Sequence, residues 1–195
     1  MFHMRAFGVT YKFTIPSVPT VGIKIQFWGL GVNVRKIVQS VKTIKKVGKW
    51  AEGPMKRSSF PLSKSRDRVY KLANRRWRIV TFEACGLDCC LLINYSKTLL
   101  QYQAMLGVDS DGDMKVLASL EYHPTHKPWH AHVSCDDLGS VPSGIKRGPW
   151  VKNLNAAGVK HRMPCPDSDD SAFNRAASFF RLDSRADLQD EGKFL

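Results

Sequence analysis

Residues 114–135 read MKVLASLEYHPTHKPWHAHVSC, and two segments of this stretch alternate between apolar and polar side chains. Every second residue is apolar, and these are Val116, Ala118, Leu120 and Tyr122 in the first segment and Trp129, Ala131, Val133 and Cys135 in the second. Because successive side chains of a strand point to opposite faces of a sheet, this period of two predicts strands over 114–122 and 129–135. A six-residue loop, 123–128, joins them.

The apolar faces also predict how these two strands pair. A slip of one residue would turn one apolar face outward, so the register is fixed once both faces point to the same core. The predicted cross-strand pairs are Tyr122 with Trp129, Glu121 with His130, and Ser119 with His132.

Three earlier segments also have the character of strands, at 77–83, 89–94 and 99–107. The core face of the last holds Leu100, Tyr102, Ala104 and Leu106. A turn at 109–113 then places Gln101 beside Glu121 and Gln103 beside Ser119. Neighbouring strands without helices between them predict an α+β fold, with an antiparallel meander of about five strands and one or two packing helices.

The N-terminal part differs in pattern. Asn33 can cap a helix over 33–50, in which valines and isoleucines recur every three or four residues and lysines occupy the other face. Such a helix packs on a core, or lies on a membrane surface, a nucleic acid or an acidic partner. The predicted organisation is a basic extension over 1–60, an α+β domain over 61–185 and a polar tail over 186–195. Within the α+β domain, a short basic helix is predicted near 65–75 and a last helix at 172–182.

The basic residues are unevenly distributed. The formal net charge is +13, but residues 1–80 carry 18 Lys and Arg against two acids, Glu52 and Asp67, a net of +16. Residues 81–195 carry the remaining 12 against 15 acids, a net of −3. This asymmetry predicts binding to nucleic acid or another polyanion, with a solubilising basic tail as the alternative. The candidate contacts are Lys42, Lys45, Lys46, Lys49, Arg75 and Arg76.

Composition excludes several classes of protein. No run approaches the roughly 18–20 apolar residues of a membrane span, and the first residues lack a secretory signal pattern. The five cysteines are an odd number, which fits reduced thiols better than a disulfide framework and predicts a cytoplasmic location.

Four of the six histidines fall between residues 123 and 132. On the predicted non-core face, Glu121, His130 and His132 converge, and two imidazoles with a carboxylate suit Mn²⁺, Zn²⁺ or Fe²⁺. Further candidate ligands are Gln101 and Gln103 on the next strand and His123 and His126 in the loop. The alternative is an ordinary polar sheet face exposed to solvent.

The His130-Ala-His132 pair, with Glu121 on the neighbouring strand, resembles the HUH endonucleases, which include plasmid and viral replication initiators and relaxases. The resemblance implies metal-assisted cleavage of single-stranded DNA by a tyrosine nucleophile. No tyrosine follows the motif in this chain. The upstream candidates are Tyr70, Tyr95 and Tyr102, of which Tyr102 lies on the predicted core face.

Two classes of function remain open. The leading prediction is a nucleic-acid-associated protein whose His/Glu metal site performs phosphodiester cleavage. The alternative is a non-enzymatic basic module that binds nucleic acid or an acidic protein, or a small metal-binding regulator. A concave site in which the three side chains converge would favour the enzyme.

Overall fold

The computed structural model has two compact units, residues 1–30 and 31–195. It describes residues 5–6, 9–10, 31–55, 74–110, 113–124, 129–134, 137–144, 150–153 and 163–182, with backbone alone for 5–6, 9–10 and 150–153. In the first unit, β1 (Arg5–Ala6) pairs antiparallel with β2 (Val9–Thr10). The predicted helix near 65–75 and the tail at 186–195 fall almost entirely outside the described residues.

An antiparallel sheet with few helices dominates the second unit, as the sequence predicts. Its described strands are β3 (Thr43–Val47), β4 (Ala51–Glu52), β5 (Arg76–Ala84), β6 (Leu87–Ser96), β7 (Gln101–Ser110), β8 (Asp113–Tyr122), β9 (Trp129–Val133) and β10 (Trp150–Asn153). The order across the sheet is β10-β9-β8-β7-β6-β5-β3, with β4 also paired to β5. The five predicted strands correspond to β5–β9, and β3, β4 and β10 extend the meander at its two edges.

The predicted helix over 33–50 is wrong after Gln39. Helix α1 spans Val34–Gln39, with Asn33 as the predicted cap, and the chain then forms β3 against β5. Ile44 and Val47 still pack on the core, but from a strand. The β-branched residues of this segment favour a strand once β5 offers a hydrogen-bonding edge, and that edge lies far away in the sequence. Residues 31–55 therefore belong to the sheet unit and are not an extension.

One face of the sheet packs on both helices and forms the main core. The apolar residues that alternate along β5–β9 lie here, including Phe82, Leu91, Tyr102 and Leu120. Helix α2 (Asp169–Phe180) contributes buried side chains at the positions that its sequence period predicts, which are Phe173, Ala176, Ala177 and Phe180. The cap is Ser168, and the predicted caps Asp169 and Asp170 lie in the first turn of the helix.

A bulge in β8 changes two details of the predicted register. Ser110 pairs with Asp113 and Gly107 with Val116, but Leu106 pairs with Ala118, so Leu117 is an extra residue. Without this residue the short turn would set Tyr102 opposite Glu121 and bring a core face against a polar face.

The bulge moves two predicted positions. Gln103 lies opposite Glu121, where Gln101 was predicted. Val116 turns to the second face, where it packs with Met105 in a small apolar cluster. Leu100 is also not a core residue, because it lies in the β6–β7 turn with a φ of 48° and is exposed.

Among the described residues, no helix is long and apolar enough to cross a membrane.

Candidate metal centre

The candidate centre lies on the second face of the sheet, where β8 and β9 pair. The predicted register is confirmed, since Glu121 pairs with His130 and Ser119 with His132. His130 and His132 are two residues apart on β9, so their rings share one face. The carboxylate of Glu121 comes from the adjacent strand. Three potential ligands therefore meet because of strand alternation and register.

The three side chains converge closely enough to hold a metal ion. Each of Glu121, His130 and His132 offers one ligand atom, and these atoms lie within 4.8 Å of one another. The distance from Glu121 Oε2 to His130 Nε2 is 3.8 Å. The rings of His130 and His132 are 5.3 Å apart at their centroids and nearly perpendicular.

His123 joins this cluster from the end of β8. Its Nε2 lies 3.1 Å from Glu121 Oε2, and its ring centroid is 5.3 Å from that of His130. The side chain is 31% exposed, against 15% for His130, so it occupies the open side of the cluster. His126, the other loop candidate, lies outside the described residues.

The other carboxylate oxygen of Glu121 is held by donors from two strands. Ser119 Oγ donates to Glu121 Oε1 at 2.8 Å, and Gln103 Nε2 donates to the same oxygen at 3.1 Å. Glu121 has no solvent exposure. Burying a carboxylate costs free energy unless it is hydrogen-bonded and its charge is compensated, and these two hydrogen bonds offset part of that cost.

Gln103 and Gln101 have different roles in this face. Gln103 is buried and contacts Glu121 through its amide nitrogen. Gln101 instead accepts a hydrogen bond from Arg75 and pairs with Ser96 across the strands. Of the two predicted amide ligands, the structure therefore brings Gln103 to Glu121, and it does so as a donor.

Asn94 also belongs to this face, although it is not among the predicted site residues. It is buried on β6, pairs with Gln103, and donates to Gln103 Oε1 at 3.4 Å. The signal was present, because residue 94 alternates with the core-facing Leu91, Ile93 and Tyr95 and so shares the polar face. An asparagine at a buried strand position needs partners, which makes it informative.

Of the three tyrosines that HUH-like chemistry would use, the two that the structure describes lie on the other face. Tyr102 belongs to the main core and donates its hydroxyl to Ala172 O at 3.1 Å. Burial raises the pKa of Tyr95 to about 12 and also raises that of Tyr102. Tyr70 lies outside the described residues. Among the described tyrosines, none points at the histidine cluster from the second face.

No family model, curated protein or solved structure matches this chain. The functional assignment therefore depends on the geometry of the site.

The six basic candidates for nucleic-acid contact fall into two groups. Four of them have partners within the protein. Lys42 donates to the backbone carbonyls of Val38 and Ser40, and Arg75 donates to the side chains of Asn94 and Gln101. Lys45 forms ion pairs with Glu83 and Asp88, and Arg76 forms ion pairs with Glu52 and Asp169. Lys46 and Lys49 have exposed side chains at the β3 edge of the sheet. These two remain the exposed candidates for such a contact.

Proposed function

We propose that Glu121, His130 and His132 bind a divalent transition metal, and that the bound ion serves phosphodiester cleavage on nucleic acid. The convergence of their three ligand atoms within 4.8 Å carries this proposal. Two imidazoles with one carboxylate suit Zn²⁺, Mn²⁺ or Fe²⁺ better than Ca²⁺ or Mg²⁺, which prefer oxygen ligands alone.

Charge and ligand number support a catalytic site. A divalent cation would compensate the charge of the fully buried Glu121. Three protein ligands leave a coordination position open for water or substrate, which is the pattern of catalytic zinc sites. Such an ion would supply an activated water at neutral pH, so hydrolysis would need no tyrosine nucleophile.

The basic character of residues 1–80 supports a polyanionic substrate. Their net charge of +16 attracts nucleic acid from a distance and raises its local concentration. Of the six candidate contacts, Lys46 and Lys49 are exposed and fit phosphate contact.

Metal analysis of the purified protein, together with nuclease assays on single- and double-stranded DNA and RNA, tests the proposal. His132→Ala should lower metal affinity by more than about tenfold and abolish nuclease activity, because a two-histidine, one-carboxylate site has no spare ligand. It should cost less than about 1 kcal/mol of stability, since His132 is not part of the apolar core. Ser96→Ala is the control on the same face and should retain both properties, because its hydroxyl contacts Thr98 and the Leu99 amide.

A metal-free, non-enzymatic module is the second candidate, and one contact favours it. His123 Nε2 lies 3.1 Å from Glu121 Oε2, so a hydrogen bond from His123 can satisfy the buried carboxylate without any metal. In that case the purified wild-type protein takes up no transition metal and cleaves no nucleic acid. The His123→Ala variant is then less stable than the wild type. Such results would replace the enzyme proposal by the binding module.

A further inference from the structure

Four polar residues form one row across the second face of the sheet. Asn94 on β6 pairs with Gln103 on β7, Gln103 pairs with Glu121 on β8, and Glu121 pairs with His130 on β9. All four are directly opposite their neighbours, and the first three are buried. Arg75, just before β5, extends the row beyond Asn94.

The hydrogen bonds along this row have a direction. Arginine offers only donors, so Arg75 must meet the oxygen of Asn94, and its Nη1 lies 2.8 Å from Asn94 Oδ1. The Asn94 amide nitrogen then faces Gln103 and donates to its Oε1 at 3.4 Å.

The same direction continues to the candidate metal ligand. Because the Gln103 oxygen accepts from Asn94, its amide nitrogen faces Glu121 and donates to Oε1 at 3.1 Å. The other oxygen, Oε2, is the one that lies 3.1 Å from His123 and 3.8 Å from His130.

We propose that Gln103 is a positioning residue that holds Glu121 with Oε2 towards the histidines, and that Arg75 and Asn94 set the direction of the Gln103 amide. This inference rests on the proposed function for its metal-binding readout. Residues behind metal ligands fix ligand orientation, and their loss typically weakens metal binding by roughly 10–100-fold. The reverse amide orientation would put two oxygen acceptors against each other at Glu121, which is unfavourable in a buried site.

Metal affinity of the full-length protein, measured by competition with a chromophoric chelator, tests the inference. Gln103→Leu removes the donor to Glu121 at similar volume and should weaken Zn²⁺ binding by roughly 10–100-fold. The visible spectrum of bound Co²⁺ should also change, because a displaced carboxylate alters the ligand field. Ser96→Ala is the matched control. Ser96 is buried on the same face of β6, but its hydroxyl contacts Thr98 and the Leu99 amide.

A second variant separates positioning from a general loss of structure. In a Glu121→Gln background, Gln103→Leu should cause no further loss of affinity, because both changes act through the same ligand. Arg75→Met, at the far end of the row, should weaken binding in the same direction but by less. An unchanged affinity and an unchanged Co²⁺ spectrum in folded Gln103→Leu would overturn the inference while leaving the metal site intact.

A measurement on the metal-free protein tests the direction of this row independently of metal binding. The side-chain amide protons of Gln103 should exchange slowly with solvent in nuclear magnetic resonance spectra, and Arg75→Met should shift them. If the wild type binds no metal, the proposed function fails, but slow exchange and this shift would still support the directed row. Rapid exchange, or no shift in Arg75→Met, would overturn it in either case.

Discussion

At the scale of single residues, Glu121 illustrates how one buried polar group organises its neighbours. It is fully buried, and its two oxygens meet different partners: Ser119 and Gln103 on one side and the histidines on the other. The sequence identifies the residue as a candidate ligand, but its burial makes it a residue on which both folding and the proposed chemistry depend.

Gly48 is required by a close approach between backbones. A Cβ at this position would lie 2.9 Å from the carbonyl oxygen of Ile79, which also accepts the Gly48 N–H at 2.8 Å. We therefore expect Gly48→Ala to destabilise the protein by about 1–3 kcal/mol in urea unfolding, as overpacking does. Gly139→Ala is the control, because a Cβ there meets nothing within 4 Å. Equal stability of the two variants would contradict this reasoning.

The cysteines should differ in reactivity. Cys85 is exposed in the β5–β6 turn, whereas Cys89 and Cys90 are buried, and burial raises the pKa of each buried thiol to about 12. Because the thiolate is the reactive form, iodoacetamide at pH 8 should label Cys85 in the native protein. Cys89 and Cys90 should be labelled at a comparable rate only after unfolding. Peptide mass spectrometry measures the order, and early labelling of Cys89 would show that the core face is more open than described.

At the scale of elements, helix α2 is fixed to the sheet by one cluster of polar contacts. Arg76 on β5 donates to both carboxylate oxygens of Asp169, at 2.7 and 2.6 Å, and Tyr95 donates to the same carboxylate at 2.7 Å. The guanidinium of Arg78 also lies between the rings of Trp50 and Phe173. These contacts anchor the first turn of α2 above β5 and β6.

This cluster predicts an acid-sensitive contribution to stability. Burial raises the pKa of Asp169, but the hydrogen bonds from Arg76 and Tyr95 outweigh it and leave the pKa below its ordinary value. A lowered pKa in the folded state stabilises the protein above the unfolded pKa of about 3.9, and the contribution disappears as pH falls through the folded pKa. Asp169→Asn should therefore lower stability at pH 7, by about 1–2 kcal/mol, and much less at pH 2.

The neighbouring carboxylate supplies the control for that measurement. Asp170 lies in the same first turn of α2. Within the described residues, it makes no hydrogen bond to Arg76 or Tyr95. Urea unfolding of Asp170→Asn across the same pH range should show a smaller change at pH 7. A matching loss in both variants would assign the effect to the helix terminus and not to the Arg76 pair.

At the scale of the whole molecule, the fold itself uses part of the basic charge that the sequence carries. The sequence concentrates basic residues in its first 80 positions, and the structure uses several of them for its own ion pairs and caps. A net charge therefore overstates the surface available to a polyanion. The exposed lysines at the β3 edge also discourage pairing with another strand.

Nucleic-acid binding should depend on salt through the exposed lysines. Lys46→Ala and Lys49→Ala should each reduce the slope of log affinity against log salt concentration by about 1, because each lost phosphate contact releases one counterion fewer. Lys42→Met should leave the slope unchanged, since Lys42 is buried and bonded to backbone carbonyls. Fluorescence anisotropy with a labelled oligonucleotide measures these slopes. Identical slopes in all three variants would remove the β3 edge from the binding surface.

The sequence by itself determined the central strands and the pairing of β8 with β9. Alternation is a local property, and the two apolar faces allow one register, so Glu121, His130 and His132 could be placed together without coordinates. The buried face of α2 followed from its helical period for the same reason.

Only the tertiary structure decided the secondary structure and the pairing of segments whose partners lie far away in the sequence. The segment after Gln39 became a strand because β5 supplied a hydrogen-bonding edge, and the Leu117 bulge moved Gln103 opposite Glu121 because the two core faces had to match. The partners of the basic residues were equally invisible, since Arg76 meets Asp169 across 93 positions of sequence. Contacts between residues so far apart in the chain leave no period or spacing in the sequence, and they form only when the sheet brings the residues together.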